Sequence, residues 1–306
     1  MSSTLSSTLE SPASRPQRWR VPVSTLLISI VFLAGTGMLL YPHVASWFAQ
    51  YNQSKIINEI SSEVSHEGGK QIADELQRAH EYNRELVGGG LLAPGSNVPT
   101  SDGAVKADTE YNSLLNVNSE GLIGRLRVAS VDIDLPIYHG TDAKTLEKGV
   151  GHLQGTALPI GGQSQHTVLT AHRGLPEANL FNDLPKVKVG DTFSIEVFNQ
   201  VMTYRVTETQ TVEPDETKAL TPQFDKDLAT LVTCTPLGIN THRMLVTGER
   251  VHPTPQADID ALGSVPDIPG FPWWSIWLGA TLLVLSLWVY LAGRPRGIKN
   301  LKIQAD

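Results

Sequence analysis

The sequence contains a single cysteine, Cys234, which ends the apolar run Leu228-Ala-Thr-Leu-Val-Thr-Cys234. Because there is no second cysteine to pair with, this thiol is either a small buried hydrophobe or a reactive group. A reactive thiol needs a neighbouring base or cation that favours its thiolate form. Arg243, in Asn240-Thr-His-Arg243, carries a permanent charge that could stabilise an oxyanion formed when sulfur attacks a carbonyl. The plainer interpretation of Arg243 is an ordinary surface salt bridge.

His172 is the best candidate for the base among the nine histidines. It directly follows the apolar segment Thr167-Val-Leu-Thr-Ala171 and precedes the turn residue Gly174. A strand that presents a polar side chain at its end, next to a turn, holds a catalytic group rigidly at the rim of a β scaffold. Cys234 has the same placement on its own strand. His172 could instead only cap a strand by hydrogen bonding, and His242 should point to the opposite face from Arg243.

The elements that must position these residues are mostly short strands. Alternating apolar residues begin near Gly121, and turn signals separate the later apolar runs. We expect strands over 126–135, 167–171, 193–198, 201–206, 228–233 and 244–247, with a hairpin at Asn199-Gln200, and short helices over 143–148 and 177–184. This pattern predicts a mainly β domain, a barrel or sandwich of about 130 residues.

The segment before this domain has helical spacing. Residues 51–86 are polar with isoleucines and leucines at helical intervals, and Gly68-Gly69 interrupts the pattern. We expect two short helices that form a stalk or pack against the domain. A loop rich in Gly and Pro follows over residues 88–103 and is either a linker or a functional loop. Its Gly88-Gly-Gly90 run lacks the lysine of a phosphate-binding loop, so it is read as flexible linker.

Two long apolar segments flank the polar middle of the chain. Val21–Leu40 and Trp273–Leu291 contain no Lys, Arg, Asp or Glu and are close to the ~20 residues that a membrane helix needs. Basic residues precede the first segment and follow the second, so the positive-inside rule places both ends in the cytoplasm and the middle outside. A cleaved signal peptide is the alternative for the first segment, because small residues follow it in His43-Val-Ala-Ser46.

Composition excludes some functions. Of the 306 residues, 18% are charged and the net charge is −7, so the basic face of a nucleic-acid-binding protein is not expected. The Cys and His spacing of a metal site does not occur in the sequence, and we expect neither a metal nor a cofactor. The acidic cluster Glu213-Pro-Asp-Glu216 could bind Ca²⁺, but a solvated turn is the more common role of such a cluster.

Several ordered blocks resemble the sortases, the cysteine transpeptidases of Gram-positive cell surfaces. Thr230-Leu-Val-Thr-Cys-Thr-Pro236, followed by Asn240-Thr-His-Arg-Met-Leu-Val246 and Gly248-Glu-Arg250, looks like the sortase signature. Further blocks resemble the pilin-polymerising group, often called class C: Leu135-Pro-Ile-Tyr-His-Gly-Thr141, Gly149-Val-Gly-His-Leu153, Leu158-Pro-Ile-Gly-Gly162, Val168-Leu-Thr-Ala-His-Arg-Gly-Leu175 and Leu180-Phe-Asn-Asp-Leu184. The resemblance covers roughly residues 110–251. Two membrane segments with a basic cytoplasmic tail are also typical of that group.

The resemblance implies a closed eight-stranded β-barrel with short helices, an N-terminal helical stalk and two flanking transmembrane helices. It also implies that Cys234 is the nucleophile, His172 the general acid/base, and Arg243 the group that stabilises the oxyanion and orients substrate. Pilin-type sortases usually cover the groove with a lid that carries an Asp-Pro-aromatic motif. The corresponding loop here, residues 88–108, has Asp102-Gly-Ala104 and no aromatic residue. Either the lid is absent, or the loop covers the groove without a ring on the sulfur.

The expected function is cleavage of LPXTG-like sorting signals between Thr and Gly, with transfer of the acyl group to a pilin lysine amine. A peptidoglycan precursor as acceptor is the nearest alternative; a surface cysteine peptidase and an inactive scaffold are further ones. The expected organisation is a disordered cytoplasmic tail (1–20), a membrane helix or signal anchor (21–41), an extracellular helical segment (42–87), a lid-like loop or linker (88–110), the catalytic barrel (111–251), a Pro-rich linker (252–271), a second membrane helix (272–292) and a basic cytoplasmic tail (293–306).

Overall fold

Eight strands close into a barrel in the computed structural model, which describes residues 19–66, 68–89, 110–266 and 269–294. The strands are β1 (Leu122–Val128), β2 (Ile133–His139), β3 (Val150–His152), β4 (Gln165–Thr170), β5 (Thr192–Val197), β6 (Gln200–Val212), β7 (Asp227–Thr235) and β8 (His242–Arg250). Their order around the barrel is β1-β2-β3-β4-β7-β8-β6-β5, and β5 pairs with β1 to close it. The β2–β3 and β4–β7 pairs are parallel and the others antiparallel. The eight-stranded barrel implied by the family resemblance is confirmed.

Alternating side chains of the strands divide between two apolar clusters. Leu169 of β4, Leu231 of β7 and Val246 of β8 belong to the main core, which fills the barrel. Their neighbours along the same strands face outward, and three of these join a small second cluster consisting of Leu153, Val168, Leu220, Val232 and Leu245. Leu220 reaches this outer face from the connection between β6 and β7. The same alternation that fills the barrel therefore also builds an apolar patch outside it.

The β5–β6 hairpin turns one residue earlier than predicted. Val197 pairs with Gln200, so the two turn residues are Phe198 and Asn199, with φ angles of 44° and 64°. Positive φ at both central residues is the geometry of the two-residue hairpin turn that matches the twist of its strands.

Helices precede and follow the barrel in sequence, and one short helix lies between β2 and β3. They are α1 (Val23–His66), α2 (Gly69–Gly89), α3 (Ala143–Lys148), α4 (Gln256–Asp260) and α5 (Trp273–Ala292). The first expected stalk helix is thus the end of α1, and the break at Gly68-Gly69 separates it from α2 as predicted. Ile57 and Val64 of α1 and Ala79 of α2 are almost fully buried. Of the two expected arrangements, packing against the domain is the one observed.

The helix predicted over 177–184 is wrong. Turns occur at residues 176–177 and 180–183, and Leu184–Lys186 makes a 3₁₀ turn. The side chain of Asn182 accepts a hydrogen bond from the amide of Gly174 at 2.6 Å, and the amide of Phe181 donates to the carbonyl of His172 at 3.1 Å. These bonds fold the segment back against the end of β4, because an asparagine side chain competes with helical hydrogen bonds.

Two compact units make up the chain, residues 42–272 and the terminal residues up to 41 and from 273. In the terminal unit the indole of Trp19 donates to the carbonyl of Tyr290 at 3.0 Å, and the amide of Arg20 donates to the carbonyl of Gly293 at 3.1 Å. Helices starting at Val23 and at Trp273 are both long and apolar enough to cross a membrane. The first two residues of the predicted loop 88–108 belong to α2, and its remainder, on which a lid depends, lies outside the described residues together with most of the two tails.

Candidate active site

Cys234 lies near the end of β7, where the strand leaves the packed sheet. Val232 and Thr233 before it are almost fully buried, whereas Cys234 itself is partly exposed. Its direct partner across the antiparallel β7–β8 pair is Arg243. Directly opposed residues have their Cβ atoms about 4.5–5.5 Å apart on the same face of the sheet. The sequence spacing that made Arg243 a candidate is therefore the spacing of a cross-strand pair.

His172 approaches the same point from the other side of β7. Strands β4 and β7 run in parallel with Thr170 opposite Val232. The pairing continues past the end of β4, since the amide of Ala171 donates to the carbonyl of Val232 at 3.2 Å and the hydroxyl of Thr233 donates to the carbonyl of Ala171 at 2.9 Å. One residue further along each chain are His172 and Cys234. Neighbouring strands lie about 4.8 Å apart, so these residues are side by side.

All three side chains belong to the outer face of the barrel. Every second side chain of a strand points to the same face. His172 therefore shares a face with Thr170 and Val168, Cys234 with Val232, and Arg243 with Leu245. Val168, Val232 and Leu245 are the outward-facing members of the second apolar cluster. The structure thus places the three residues predicted from the sequence at one end of three adjacent strands, above a floor of aliphatic side chains.

The loops that follow β4 and β7 pack closely against each other, next to the strand ends that carry His172 and Cys234. Gly174 has a φ of +84°, and a Cβ added there would lie 2.5 Å from Cδ1 of Leu237. The guanidinium of Arg173 donates to the hydroxyl of Thr235 at 3.4 Å. A side chain at position 174 would therefore both strain the backbone and push the two loops apart.

Arg243 is anchored by the loop that precedes it. Its Nη1 donates to the carbonyls of Asn240 and His242, each at 3.1 Å. The amide of Asn240 in turn donates to the carbonyl of Pro236 at 2.9 Å, which closes the loop after Cys234. These bonds fix the guanidinium beside Cys234, its cross-strand partner.

The partly buried position of His172 favours the neutral form of its imidazole. Burial lowers its pKa from the ordinary value of 6.5, and the carboxylate of Glu147 on α3 opposes that effect by raising it. A neutral imidazole can accept the proton of a neighbouring thiol. The candidate site therefore brings together a thiol, an imidazole and a guanidinium.

Other predictions concern residues away from this end. His242, expected on the opposite face from Arg243, lies 3.3 Å from Glu213, the first residue of the acidic cluster, so that pair becomes an ion pair if His242 is protonated. Within the described residues, no group of three or more His, Cys, Asp or Glu side chains is placed to hold a metal ion. Sequence reasoning missed Glu147 and the aliphatic floor. The even spacing between Val168 and His172, and between Val232 and Cys234, could have predicted the floor, because it places each pair on one face of its strand. Nothing in the local sequence indicates the effect of Glu147.

Comparison with known proteins finds one family throughout. The sortase domain model matches residues 126–251. Sortase D of Bacillus subtilis is 32% identical over 131 residues, which are 42% of this chain and 63% of that protein. Sortase A of Listeria monocytogenes is 28% identical over 134 residues, 44% of this chain and 59% of that protein. The chain thus spans about six-tenths of the length of these curated relatives.

Solved structures match over more of the chain. Sortase C1 from Streptococcus agalactiae is 39% identical with a TM-score of 0.60, covering 65% of this chain and 100% of that one. A sortase C from Streptococcus pneumoniae, whose structure was examined for its pilin substrate specificity, is 36% identical with a TM-score of 0.55, covering 64% of this chain and 96% of that one. Because the identity is this high across nearly the whole of both solved relatives, the chain belongs to the sortase family.

Proposed function

We propose that this protein is a membrane-anchored cysteine transpeptidase in which Cys234 is the nucleophile, His172 the general acid/base, and Arg243 the oxyanion-stabilising and substrate-orienting group. The observation that carries the proposal is their register: His172, Cys234 and Arg243 lie next to each other at one end of β4, β7 and β8, on one face. Sortases are cysteine transpeptidases, and this arrangement supplies the groups that acyl transfer through a thioester needs.

The first half of the reaction forms the thioester. The neutral imidazole of His172 takes the thiol proton as Sγ of Cys234 attacks the Thr–Gly carbonyl of an LPXTG-like sorting signal. The guanidinium of Arg243 faces the negative charge that develops on the carbonyl oxygen. The imidazolium then gives its proton to the departing glycine nitrogen as the C–N bond breaks. The acyl group remains on sulfur, and His172 is neutral again.

The second half transfers the acyl group to an amine. A lysine amine attacks the thioester carbonyl, and His172 accepts the proton that the nitrogen loses. The C–S bond breaks as the amide bond forms, and the proton passes from His172 to the thiolate of Cys234. The product is an isopeptide bond, and the enzyme returns to its starting state without any net oxidation or reduction.

The aliphatic floor supports the strand ends that hold the three residues. Val168, Val232 and Leu245 lie below these ends on the same outer face and are packed against Leu220, so that each is at most 2% exposed. Because these side chains are already out of water, the floor fixes the positions of His172, Cys234 and Arg243, and the Thr–Gly bond of the sorting signal lies above it at Cys234.

A pilin lysine is the acceptor that we propose, and the solved relatives support it. The pneumococcal sortase C is described with pilin substrates, and a sortase C1 of group B Streptococcus belongs to a pilus island. An amine of a peptidoglycan precursor is the competing acceptor, and water would make the protein a cysteine peptidase. The chemistry at Cys234 is the same in all three cases, so only the product distinguishes them.

Two apolar helices support membrane anchoring of this enzyme. The helices that begin at Val23 and Trp273 would each cross the bilayer, and the arginines at 15, 18 and 20 and the basic residues after Gly293 would face the cytoplasm. The catalytic unit, which contains Cys234, then lies outside. In this scheme the catalytic domain comprises residues 111–251, and residues 252–271 lead to the second membrane helix.

Product analysis tests the proposed function. The full-length chain in detergent is incubated with an LPXTG peptide alone, with a lysine-bearing pilin domain, and with an amine of the peptidoglycan-precursor type. We expect an isopeptide-linked product with the pilin domain, and no such product from the Cys234→Ala variant. Transfer only to the precursor amine would contradict the pilin assignment. Hydrolysis unaffected by either amine would indicate a peptidase, and no turnover at all an inactive scaffold.

A further inference from the structure

Thr170 is a buried hydroxyl that the barrel itself does not use. Its Oγ1 is inaccessible to solvent and has no hydrogen-bond partner among the described residues. The side chain is 6% exposed. Buried polar atoms are almost always paired, so an unpaired hydroxyl on a strand requires an explanation.

Stability does not explain the hydroxyl. Thr170 belongs to the outer face of β4, between Val168 and His172, and lies opposite Val232 of β7 and Gly151 of β3. Valine has the same branched shape and lacks the hydroxyl, and it also favours strands. In these surroundings valine would avoid the penalty of an unpaired polar atom. A role in the reaction is the remaining use of this oxygen.

The imidazole of His172 is the polar group that Thr170 can reach. The two residues are separated by one position on the same face, about 6.6 Å along the strand. None of the hydrogen bonds formed within the described part of the chain involves the ring of His172; only its backbone carbonyl is bonded, to the amide of Phe181. A rotation of the imidazole toward β4 would be needed to bring a ring nitrogen to Oγ1, which is closed to solvent.

We propose that Thr170 is a positioning residue for the general base. When His172 takes the proton from Cys234, its Nδ1–H donates to Oγ1 of Thr170, and Nε2 stays directed at the sulfur and the leaving amine. The hydrogen bond fixes the ring orientation and tautomer and stabilises the imidazolium. This inference rests on the proposed function, in which His172 transfers protons.

The hydroxyl can be removed without changing any charge near the ring. The charged and titratable groups around His172 are Glu147 on α3, Cys234 on β7, Arg243 on β8 and Arg173 beside it in the loop. A Thr170→Val variant keeps all of them and keeps the shape of the side chain. Thr170→Ser keeps the hydroxyl and loses the methyl group, and Thr170→Ala loses both.

The test is steady-state turnover of an LPXTG peptide by the full-length protein and these three variants, as a function of pH. We expect Thr170→Val and Thr170→Ala to lower kcat about 10–100-fold with KM nearly unchanged, because proton transfer is impaired and binding is not. The melting temperature of Thr170→Val should equal or exceed that of the unmodified chain. Its acidic limb of kcat/KM should move to lower pH, because the imidazolium has lost a stabilising partner. Thr170→Ser should restore most of the rate.

The outcomes separate this inference from the proposed function. If the unmodified chain forms no acyl product, the proposed function fails. If the unmodified chain is active and Thr170→Val retains its kcat and pH profile, the role of Thr170 is overturned. A rate lost in Thr170→Ala and Thr170→Ser but kept in Thr170→Val would also overturn it, because that pattern would mean that packing matters and the hydroxyl does not.

Discussion

At the scale of single residues, the position of Cys234 argues for chemistry over packing. A cysteine that only fills space would be expected where Val232 and Leu231 are, which are almost fully buried. Cys234 instead lies where β7 emerges, partly exposed, with a cation as its cross-strand partner. Exposure and a nearby cation are the conditions that make a thiol reactive. The same strand therefore supplies both a part of the aliphatic floor and the proposed nucleophile.

The three candidate residues could be found in the sequence because each stands at the junction of an apolar run and a turn. Such junctions are local features, and alternation along a strand fixes which face each side chain joins. Thr170 and Glu147 could not be found in this way. The unpaired state of the Thr170 hydroxyl depends on which strands flank β4, and the effect of Glu147 on His172 depends on where α3 lies. Both are consequences of long-range pairing, which local patterns do not encode.

At the scale of elements, short apolar runs were predicted well and one amphipathic segment was not. Leu180, Phe181 and Leu184 have helical spacing, and all three are buried, but they are presented from turns. The side chain of Asn182 and the proline at 185 favour turns over a continuous helix. Burial of an apolar side chain thus constrains its position and leaves the local backbone undetermined.

Besides its apolar contacts, helix α2 is hydrogen-bonded to the barrel domain through a buried side-chain amide, that of Asn83. Its Nδ2 donates to the carbonyl of Leu158 at 3.1 Å and to Oε1 of Gln165 at 2.9 Å, and its Oδ1 accepts from the amide of Leu158 at 2.7 Å. The side chain satisfies both backbone groups of Leu158, in the loop between β3 and β4.

We expect Asn83→Ala to lower the free energy of unfolding by about 1–3 kcal/mol, because it leaves the buried amide of Leu158 unpaired, whereas the carbonyl of Leu158 keeps the amide of Ile160 as a donor. Urea unfolding followed by intrinsic fluorescence measures this change. Arg84→Ala is the matched control, since the neighbouring side chain is 68% exposed and its ion pair with Glu81 is a surface contact. Its effect should stay within about 0.5 kcal/mol. Equal effects of the two substitutions would contradict the role of Asn83.

At the scale of the whole molecule, folding buries three histidines. Burial is the main cause that lowers the pKa values of His139, His152 and His166, and it lowers that of His152 to about 3. His152 is fully buried, with Nδ1 2.8 Å from the hydroxyl of Tyr111 and Nε2 2.9 Å from the carbonyl of Ala157. A neutral imidazole with Nε2–H donating to Ala157 and Nδ1 accepting from Tyr111 satisfies both contacts.

These histidines make the fold sensitive to mild acid. In the unfolded chain a histidine takes up a proton near pH 6.5, whereas folded His152 does so only near pH 3. The unfolded state therefore binds more protons between these values, and the stability contributed by His152 is lost as the pH falls below 6.5. From pH 7 to pH 5 this loss is about 2 kcal/mol. His139 and His166 act in the same direction.

Comparison with His152→Gln isolates this contribution. Glu196 and Asp227 have raised pKa values and act in the opposite direction as the pH falls, but they are present in both proteins. We expect the variant to be less stable than the unmodified chain at pH 7 and to lose about 2 kcal/mol less between pH 7 and pH 5. Urea midpoints at the two pH values measure the difference. Parallel pH dependences would show that His152 is not held neutral.

The most direct test of the whole account is the mass of the acylated enzyme. The full-length chain is incubated with an LPXTG peptide in the absence of an amine, quenched in acid and digested. We predict a mass increase equal to the peptide up to its threonine, on the fragment that contains Cys234, removable by hydroxylamine and absent from Cys234→Ala. An adduct on another residue, or acyl transfer that survives in Cys234→Ala, would contradict the assignment of this cysteine as the nucleophile.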